Sequence, residues 1–237
     1  MRIGLLLAGH MPEALADTVG DYPDLYGSML APHGFTCTAW DVTAGEMPES
    51  PQAAEGWLIS GSRHGAYDDL PWIAPLEAFV RHVRAAGVPL LGICFGHQIV
   101  AQALGGRVEK WRGGWTLGPT DYAFEDGTTY RLNAWHQDQV TAPPEGARTI
   151  ATAPDCAHAA LAIGEMILTV QPHPEFGRDS VAGLLETRGA ALPAESAADL
   201  RARIDRPTDE AAFAARLAAF FRSAARSAAP SAGAHVA

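Results

Sequence analysis

One of the three cysteines, Cys94, stands between two glycines in the run Gly92-Ile93-Cys94-Phe95-Gly96. The apolar residues before it are typical of a buried strand, and those after it recur at helical spacing. Glycines at these places relieve the crowding of a sharp strand-to-helix turn. The pattern predicts a nucleophile elbow, in which a helix N-terminus stabilises a thiolate and the N–H of Phe95 donates to an oxyanion. The residues also leave open a buried structural cysteine.

A thiol nucleophile needs a nearby base, and the base needs a group that orients it. His173 and Glu175, in Pro172-His173-Pro174-Glu175, are two residues apart in an extended segment and can therefore point to the same side. A carboxylate in that position would fix the imidazole tautomer and stabilise its charged form. The alternative is that this segment is merely a turn.

A glycine-containing turn, Gly61-Ser62-Arg63-His64-Gly65, follows a short apolar run and could supply further oxyanion N–H donors. In open parallel sheets, sites form beyond the carboxyl ends of the strands. Cys94, Ser62 and His173 each follow a predicted strand, so we expect the three to face one crevice.

The elements that must position these residues alternate between strands and helices, which predicts an α/β fold with a mostly parallel sheet flanked by helices. A helix is expected to start after an Asp69 cap, with Pro71 near its first position. After residue 106 we expect an antiparallel portion, and after residue 178 mostly helix. One domain, 1–226, is predicted, with a flexible tail at 227–237. The expected strands are 2–8, 35–42, 57–60, 88–93, 129–135, 148–153, 159–163 and 166–170. The expected helices are 12–31, interrupted by Gly20 and Pro23, then 69–86 and 94–104, and finally 178–226 with breaks near Pro193 and Pro207.

Composition restricts the functions that fit this chain. The 237 residues carry a formal net charge of −10, which argues against nucleic acid or an anionic membrane as a partner. The cysteines are odd in number and far apart, so they predict neither a disulfide framework nor a metal site. The N-terminal apolar run is too short for a secretory signal. We expect a cytoplasmic protein without a cofactor.

These motifs together resemble class I glutamine amidotransferases, and most closely stand-alone relatives of the glutaminase domain of GMP synthase. The resemblance spans about residues 2–180, with the motifs in the same order. It implies a flavodoxin-like fold, a Cys94-His173-Glu175 triad and oxyanion N–H groups on Phe95 and Ser62. The motifs that carry the resemblance are Gly92 to Gln98, Ile59 to Ser62, His136-Gln137-Asp138 and Gln171 to Glu175.

For the substrate, the resemblance implies that Gln98 contacts the glutamyl part. His136, read as a loop histidine, and Gly61 are further candidates for substrate contact. Asp138 is proposed for the glutamyl amino group on charge alone. No metal ligand set is expected.

The implied reaction is hydrolysis of a γ-glutamyl amide through a Cys94 thioester, with glutamine or a γ-glutamyl compound as substrate. Since the sequence contains no ATP-binding motif, released ammonia would need a separate synthase subunit. Otherwise the protein hydrolyses γ-glutamyl compounds by itself, as γ-glutamyl peptidases and hydrolases do. A non-catalytic binding module of this fold, and an esterase or cysteine protease, are the other readings.

Overall fold

A nine-stranded sheet forms the centre of the computed structural model, which describes residues 1–228. Across this sheet the strands follow the order β2-β1-β3-β4-β11-β10-β9-β6-β7, and β5 pairs with β8 separately. The strands are β1 (Arg2–Leu7), β2 (Thr36–Asp41), β3 (Gly56–Ile59), β4 (Leu90–Ile93), β5 (Arg107–Lys110), β6 (Thr116–Phe124), β7 (Thr129–His136), β8 (Asp138–Ala142), β9 (Ala147–Ala153), β10 (Cys156–Ile163) and β11 (Ile167–Val170).

The neighbouring strands β2, β1, β3, β4 and β11 are parallel to one another. The remaining strands, β10, β9, β6 and β7, join the sheet through antiparallel pairs. The predicted α/β fold with a parallel sheet, flanking helices and an antiparallel portion is therefore confirmed. One expected member of the antiparallel portion, 166–170, joins the two parts, because β11 pairs antiparallel with β10 and parallel with β4. The sequence pattern also missed β5, β6 and β8, because these strands carry polar and glycine residues that break a continuous apolar run.

Helices cover both faces of the sheet. They are α1 (Glu13–Val19), α2 (Tyr22–Leu30), α3 (Ile73–Ala86), α4 (Phe95–Ala103), α5 (Arg178–Arg188), α6 (Ala194–Arg203) and α7 (Glu210–Ala228). The interruption expected at Gly20 divides 12–31 into α1 and α2, because Gly20 adopts a φ of 87° and Asp21 then forms a capping box with Asp24. The other expected interruption, Pro23, lies in the first turn of α2 and does not break it.

The expected Asp69 cap is wrong. Helix α3 begins at Ile73, its N-cap position is Trp72, and no side chain caps it. A backbone turn precedes the helix, in which the Ile73 N–H donates to the Leu70 carbonyl at 3.1 Å. The Leu70 carbonyl thus takes the place of a side-chain cap for the Ile73 N–H, and Asp69 and Pro71 lie before the helix.

Successive residues of the parallel strands pack into two different apolar layers. Leu58 joins the layer beneath α2, α5, α6 and α7, whereas its neighbours Trp57 and Ile59 join the layer beneath α3 and α4. These strands are thus buried on both faces, as the continuous apolar runs predicted. Sites are consequently confined to the sheet edge where the strands end.

At the C-terminus, α7 continues through Ala228, two residues past the expected start of the tail. The rest of that predicted tail, 229–237, lies outside the described residues, and the single-domain assignment stays a prediction. Over residues 1–228, no helix has both the length and the apolar character needed to cross a membrane.

Candidate functional site

Cys94 occupies a strained turn between β4 and α4. Its φ of 53° is the only positive value for a non-glycine residue over residues 1–228, and such a backbone costs energy that the surrounding packing must supply. A side chain on Gly92 would place its Cβ 2.4 Å from the Gly96 carbonyl oxygen, and one on Gly96 would lie 2.3 Å from the Ile59 oxygen. The two glycines are therefore required by close backbone approaches on either side of the cysteine.

His173 and Glu175 follow β11, the strand that pairs directly with β4. The Cys94 N–H donates to the Val170 carbonyl at 2.8 Å, which ties the two strand ends together. The His173 Nδ1 and the Glu175 Oε1 are 2.7 Å apart, and both side chains are buried. Since Glu175 occupies Nδ1, Nε2 is the ring nitrogen left for Cys94. The structure thus brings together the three residues of the predicted triad.

Several contacts hold the imidazole in this orientation. Its ring stacks on Phe176 at 4.1 Å between centroids, with 3° between the planes. The His173 N–H donates to the Asn133 carbonyl, and the Asn133 Nδ2 donates to the Phe176 carbonyl, each at 2.8 Å. A Cβ on Gly61 would lie 2.9 Å from His173 Cε1. Gly61 therefore lies beside the imidazole.

The carboxylate of Glu175 has a second donor, which the sequence did not indicate. The Tyr26 hydroxyl donates to Glu175 Oε1 at 2.9 Å and accepts from the Gly61 N–H at 3.3 Å. Burial and the nearby Glu175 charge raise the pKa of Tyr26 well above its usual value, so the phenol stays a neutral donor. Tyr26 extends the Cys94-His173-Glu175 row by one buried group.

The charges of this row favour a protonated His173. Burial alone lowers the pKa of the imidazole, but the interactions with Cys94 and Glu175 outweigh burial and raise it well above the ordinary histidine range. A histidine in that state beside a cysteine favours a thiolate–imidazolium pair, which is the reactive form of a cysteine nucleophile.

Two backbone N–H groups near Cys94 have no protein acceptor. Among the bonds of residues 1–228, neither the Phe95 nor the Ser62 N–H finds a partner, whereas the Gly96 N–H donates to the Ser60 carbonyl at 3.1 Å. The Ser62 Oγ accepts from the His64 N–H at 3.1 Å, so the serine side chain stabilises its own turn. The two N–H groups predicted as oxyanion donors are thus both available.

A cavity of about 640 Å³ opens beside Cys94, within the roughly 300–1,000 Å³ range of small-molecule pockets. Of the predicted substrate-contact residues, Gln98, His136 and Asp138 line it, and Gly61 does not. Gln98 Nε2 donates to the Asp138 carbonyl at 2.8 Å and to Gln171 Oε1 at 3.3 Å, so both of its N–H donors are used. Only the Gln98 oxygen is left for a ligand.

His136 is not the loop residue that the sequence suggested. It is the last residue of β7 and is only 4% exposed, because the alternation along β7 turns it inward toward the site. Burial, with a contribution from His173, lowers its pKa to about 3, so the ring is neutral. Neither ring nitrogen has a partner in the described chain, and a ligand in the cavity could supply one.

Asp138 begins β8 and is half-buried at the cavity wall. Its carboxylate accepts from the Tyr67 hydroxyl at 3.1 Å. Burial raises the pKa of Asp138, and the hydrogen bond from Tyr67 and the charge of Lys110 partly offset this rise. Asp138 can therefore offer one free carboxylate oxygen to a positively charged ligand group.

Other cavity-lining residues were missed from the sequence. Arg188 is the last residue of α5. Trp115 immediately precedes β6, and Trp135 lies in β7. They lie in no motif, so no local pattern could have marked them. No group of three or more histidine, cysteine or acidic residues in the described part could hold a metal ion.

The fold and the elbow place this chain in a known structural class. A glutamine amidotransferase from Thermotoga maritima superposes with a TM-score of 0.75 at 19% identity, covering 95% of this chain and 98% of that one. A glutamine amidotransferase from Methylobacillus flagellatus gives 0.71 at 22% identity, covering 100% and 98%. At these identities the likeness establishes the fold.

Sequence similarity establishes the family. The model of the family "Glutamine amidotransferase class-I" matches residues 29–181. Gamma-glutamyl peptidase 4 of Arabidopsis thaliana is 32% identical over 197 residues, 77% of this chain and 78% of that protein. The glutamine-hydrolyzing GMP synthase of Bartonella quintana is 38% identical over 136 residues, 53% of this chain and 25% of that protein. The chain belongs to the class I glutamine amidotransferase family, which confirms the resemblance.

Proposed function

We propose that this protein hydrolyses γ-glutamyl amide bonds through a covalent Cys94 thioester. The observation that carries the proposal is the arrangement of Cys94 at a strained elbow beside a buried His173, which is itself bonded to Glu175 at 2.7 Å. A nucleophile, a base and an orienting carboxylate within reach of one another are the requirements of covalent acyl transfer.

In the first half-reaction, the Cys94 sulfur attacks the side-chain amide carbon of the γ-glutamyl group. The N–H groups of Phe95 and Ser62 donate to the resulting oxyanion, each worth about 3 kcal/mol in the transition state. The C–N bond breaks as the imidazolium of His173 transfers its proton to the departing amine. The products of this step are the free amine and a glutamyl thioester.

In the second half-reaction, the neutral His173 removes a proton from water, and the resulting hydroxide attacks the thioester carbon. The C–S bond then breaks, glutamate leaves, and the thiolate–imidazolium pair is restored. Glu175 and Tyr26 take no proton and keep the ring oriented, since their hydrogen bonds involve Nδ1 and the carboxylate. One water is consumed for each amide hydrolysed.

The glutamyl α-amino group is assigned to the wall formed by His136 and Asp138. An ammonium pairs with the free oxygen of the Asp138 carboxylate and donates a hydrogen bond to a nitrogen of the neutral His136 imidazole. The unpaired nitrogens of buried His136 support this assignment, because a bound ligand would satisfy a group that otherwise stays unbonded.

The leaving group separates two versions of this activity. Similarity to gamma-glutamyl peptidase 4 over 78% of that protein supports a hydrolase that acts by itself. Similarity to part of a GMP synthase supports a glutaminase that passes ammonia to a separate synthase subunit. We favour the first version, because the cavity of about 640 Å³ beside Cys94 has room for a substrate larger than glutamine.

Three free thiols support a reducing compartment, and we infer a cytoplasmic location from them. Cys37, Cys94 and Cys156 form no disulfide. The proposed reaction needs Cys94 reduced, because the thiolate is the nucleophile.

Release of glutamate from glutamine and from a set of γ-glutamyl amides tests the proposal. Cys94→Ser should lose nearly all release, and Cys37→Ser, at a half-buried cysteine remote from the predicted triad, should keep the wild-type rate. Fast release from one compound by purified protein would identify a self-sufficient hydrolase. Slow release from all compounds, accelerated by a co-purifying synthase, would support the second version. Equal rates in wild type and Cys94→Ser would refute the mechanism.

A further inference from the structure

The wall of the cavity has a charge opposite to that of the whole chain. The formal net charge is −10, yet the permanently charged residues that line the cavity are three cations, Arg63, Lys110 and Arg188, and one anion, Asp138. Such a concentration of positive charge raises the local concentration of anionic ligands. The substrate that fits this wall carries more negative than positive charge.

None of these three cations forms an ion pair within residues 1–228. Arg188 is half-buried at the end of α5, where burial and the charge of Arg63 lower its pKa, with Tyr22 acting in the other direction. Two like charges held near each other in a partly desolvated pocket are unfavourable until an anion binds between them.

A different pair of charges serves the amino-acid end of the substrate. Lys110 lies opposite Asp138 in the register of β5 and β8, so the pair offers one cation and one anion to the two charges of a glutamyl head group. Lys110 and Asp138 belong to β5 and β8, whereas Arg188 ends α5 and Arg63 lies in the turn after β3. The two arginines are therefore presented to the cavity by other elements than this pair.

The wall also carries large apolar side chains. Trp115 and Trp135 line the same cavity, together with Leu192 from the segment that follows α5. Both the Arg188 and the Leu192 positions lie beyond the family match, which ends at residue 181. Arg188 and Leu192 thus lie outside the region that the family model describes, whereas the two tryptophans lie within it.

We propose that Arg188, assisted by Arg63, binds a carboxylate on the leaving amine, so that the substrates are γ-glutamyl amino acids or peptides with an apolar or aromatic side chain. Arg188 is a specificity-determining residue in this assignment. The inference rests on the proposed γ-glutamyl hydrolysis and names its leaving group. A guanidinium suits this role, because its planar donors match a carboxylate in a bidentate contact.

Two substrates that differ only in that carboxylate test the inference: γ-glutamyl-phenylalanine and γ-glutamyl-phenethylamide. The full-length wild type should show a kcat/KM ratio of about 10 to 100 in favour of the first, the range of a hydrogen bond to a charged group. Arg188→Gln should bring the ratio close to 1, and Arg188→Lys should retain part of it. Arg178→Gln, on the exposed first turn of the same helix, is the matched control and should keep the wild-type ratio.

Binding of both compounds to Cys94→Ser, measured by calorimetry, separates the two levels of the argument. If both amides are hydrolysed at equal rates and Arg188→Gln changes nothing, the leaving-group inference is overturned and the hydrolase proposal stands. If neither these two amides nor glutamine nor any other γ-glutamyl amide of the set is hydrolysed, the hydrolase proposal fails, and the binding ratio decides the inference. A carboxylate preference that is lost in the Cys94→Ser/Arg188→Gln double variant would support it, and equal binding of both amides would overturn it.

Discussion

Replacing Gly96 by alanine tests whether the glycines around Cys94 are needed for the chemistry. The added Cβ would lie 2.3 Å from the Ile59 carbonyl oxygen and 2.9 Å from its carbon. A Cβ and a carbonyl oxygen in ordinary contact are about 3.5 Å apart, so α4 and β3 must separate by about 1 Å. β3 is held between β1 and β4, and the N-terminus of α4 is the part that can yield.

That displacement moves the two predicted oxyanion donors apart. Phe95 opens α4, whereas Ser62 follows β3 by three residues. A misplacement of about 1 Å can cost about 10²-fold in rate, and overpacking destabilises a fold by about 1–3 kcal/mol. We expect Gly96→Ala to fold with reduced stability and to lose about a hundredfold in kcat, well beyond what the loss of stability explains at assay temperature.

The matched control is Gly27→Ala, in the middle of α2, where an added Cβ meets nothing within 4 Å. Alanine in a helix interior stabilises by about 0.5–1 kcal/mol relative to glycine, so kcat should be unchanged and the urea midpoint slightly higher. Glutamate release and urea unfolding are measured on both variants. If folded Gly96→Ala has a kcat within about threefold of wild type, a change below about 1 kcal/mol, the steric argument is refuted.

Two further predictions concern the row of buried groups behind Cys94. Tyr26→Phe removes a hydroxyl that donates to Glu175 and should lower kcat by about 10- to 100-fold. The control is Tyr122→Phe, because the buried Tyr122 hydroxyl has no partner in the described chain. This control should keep the wild-type kcat and unfold at an equal or higher temperature. Cys94→Ala removes one of the interactions that, against burial, raise the pKa of His173. The His173 imidazole should therefore lose its proton at a lower pH in folded Cys94→Ala than in folded wild type, as measured by NMR titration of the ring.

Each of these two predictions has its own contradicting outcome. Equal kcat values in Tyr26→Phe and wild type would mean that Glu175 orients His173 without the phenol. An identical titration of His173 in wild type and Cys94→Ala would mean that the thiol contributes nothing to protonation of the imidazole.

Local sequence determined the parts of the site that depend on neighbouring residues. The apolar run, the two glycines and the helical spacing around Cys94 are enough to predict a strand, a tight turn and a helix, because each is set by backbone sterics and burial within a dozen residues. The sequence also predicted that His173 faces the same crevice as Cys94, because the carboxyl ends of parallel strands meet at one edge of a sheet. The predicted cap at Asp69 failed because a backbone carbonyl supplied the acceptor instead.

Tertiary structure decided what comes together from distant parts of the chain. Tyr26 reaches Glu175 across 149 positions, and His136 turned out to be a buried strand residue with a pKa lowered by burial. The two unpaired arginines share a cavity only because the end of α5 packs over the strand ends. Such contacts depend on the packing of whole elements, and no spacing in the chain encodes them. The sequence by itself therefore determined the fold class and a coherent hypothesis for the chemistry, and the three-dimensional packing decided which side chains surround the substrate.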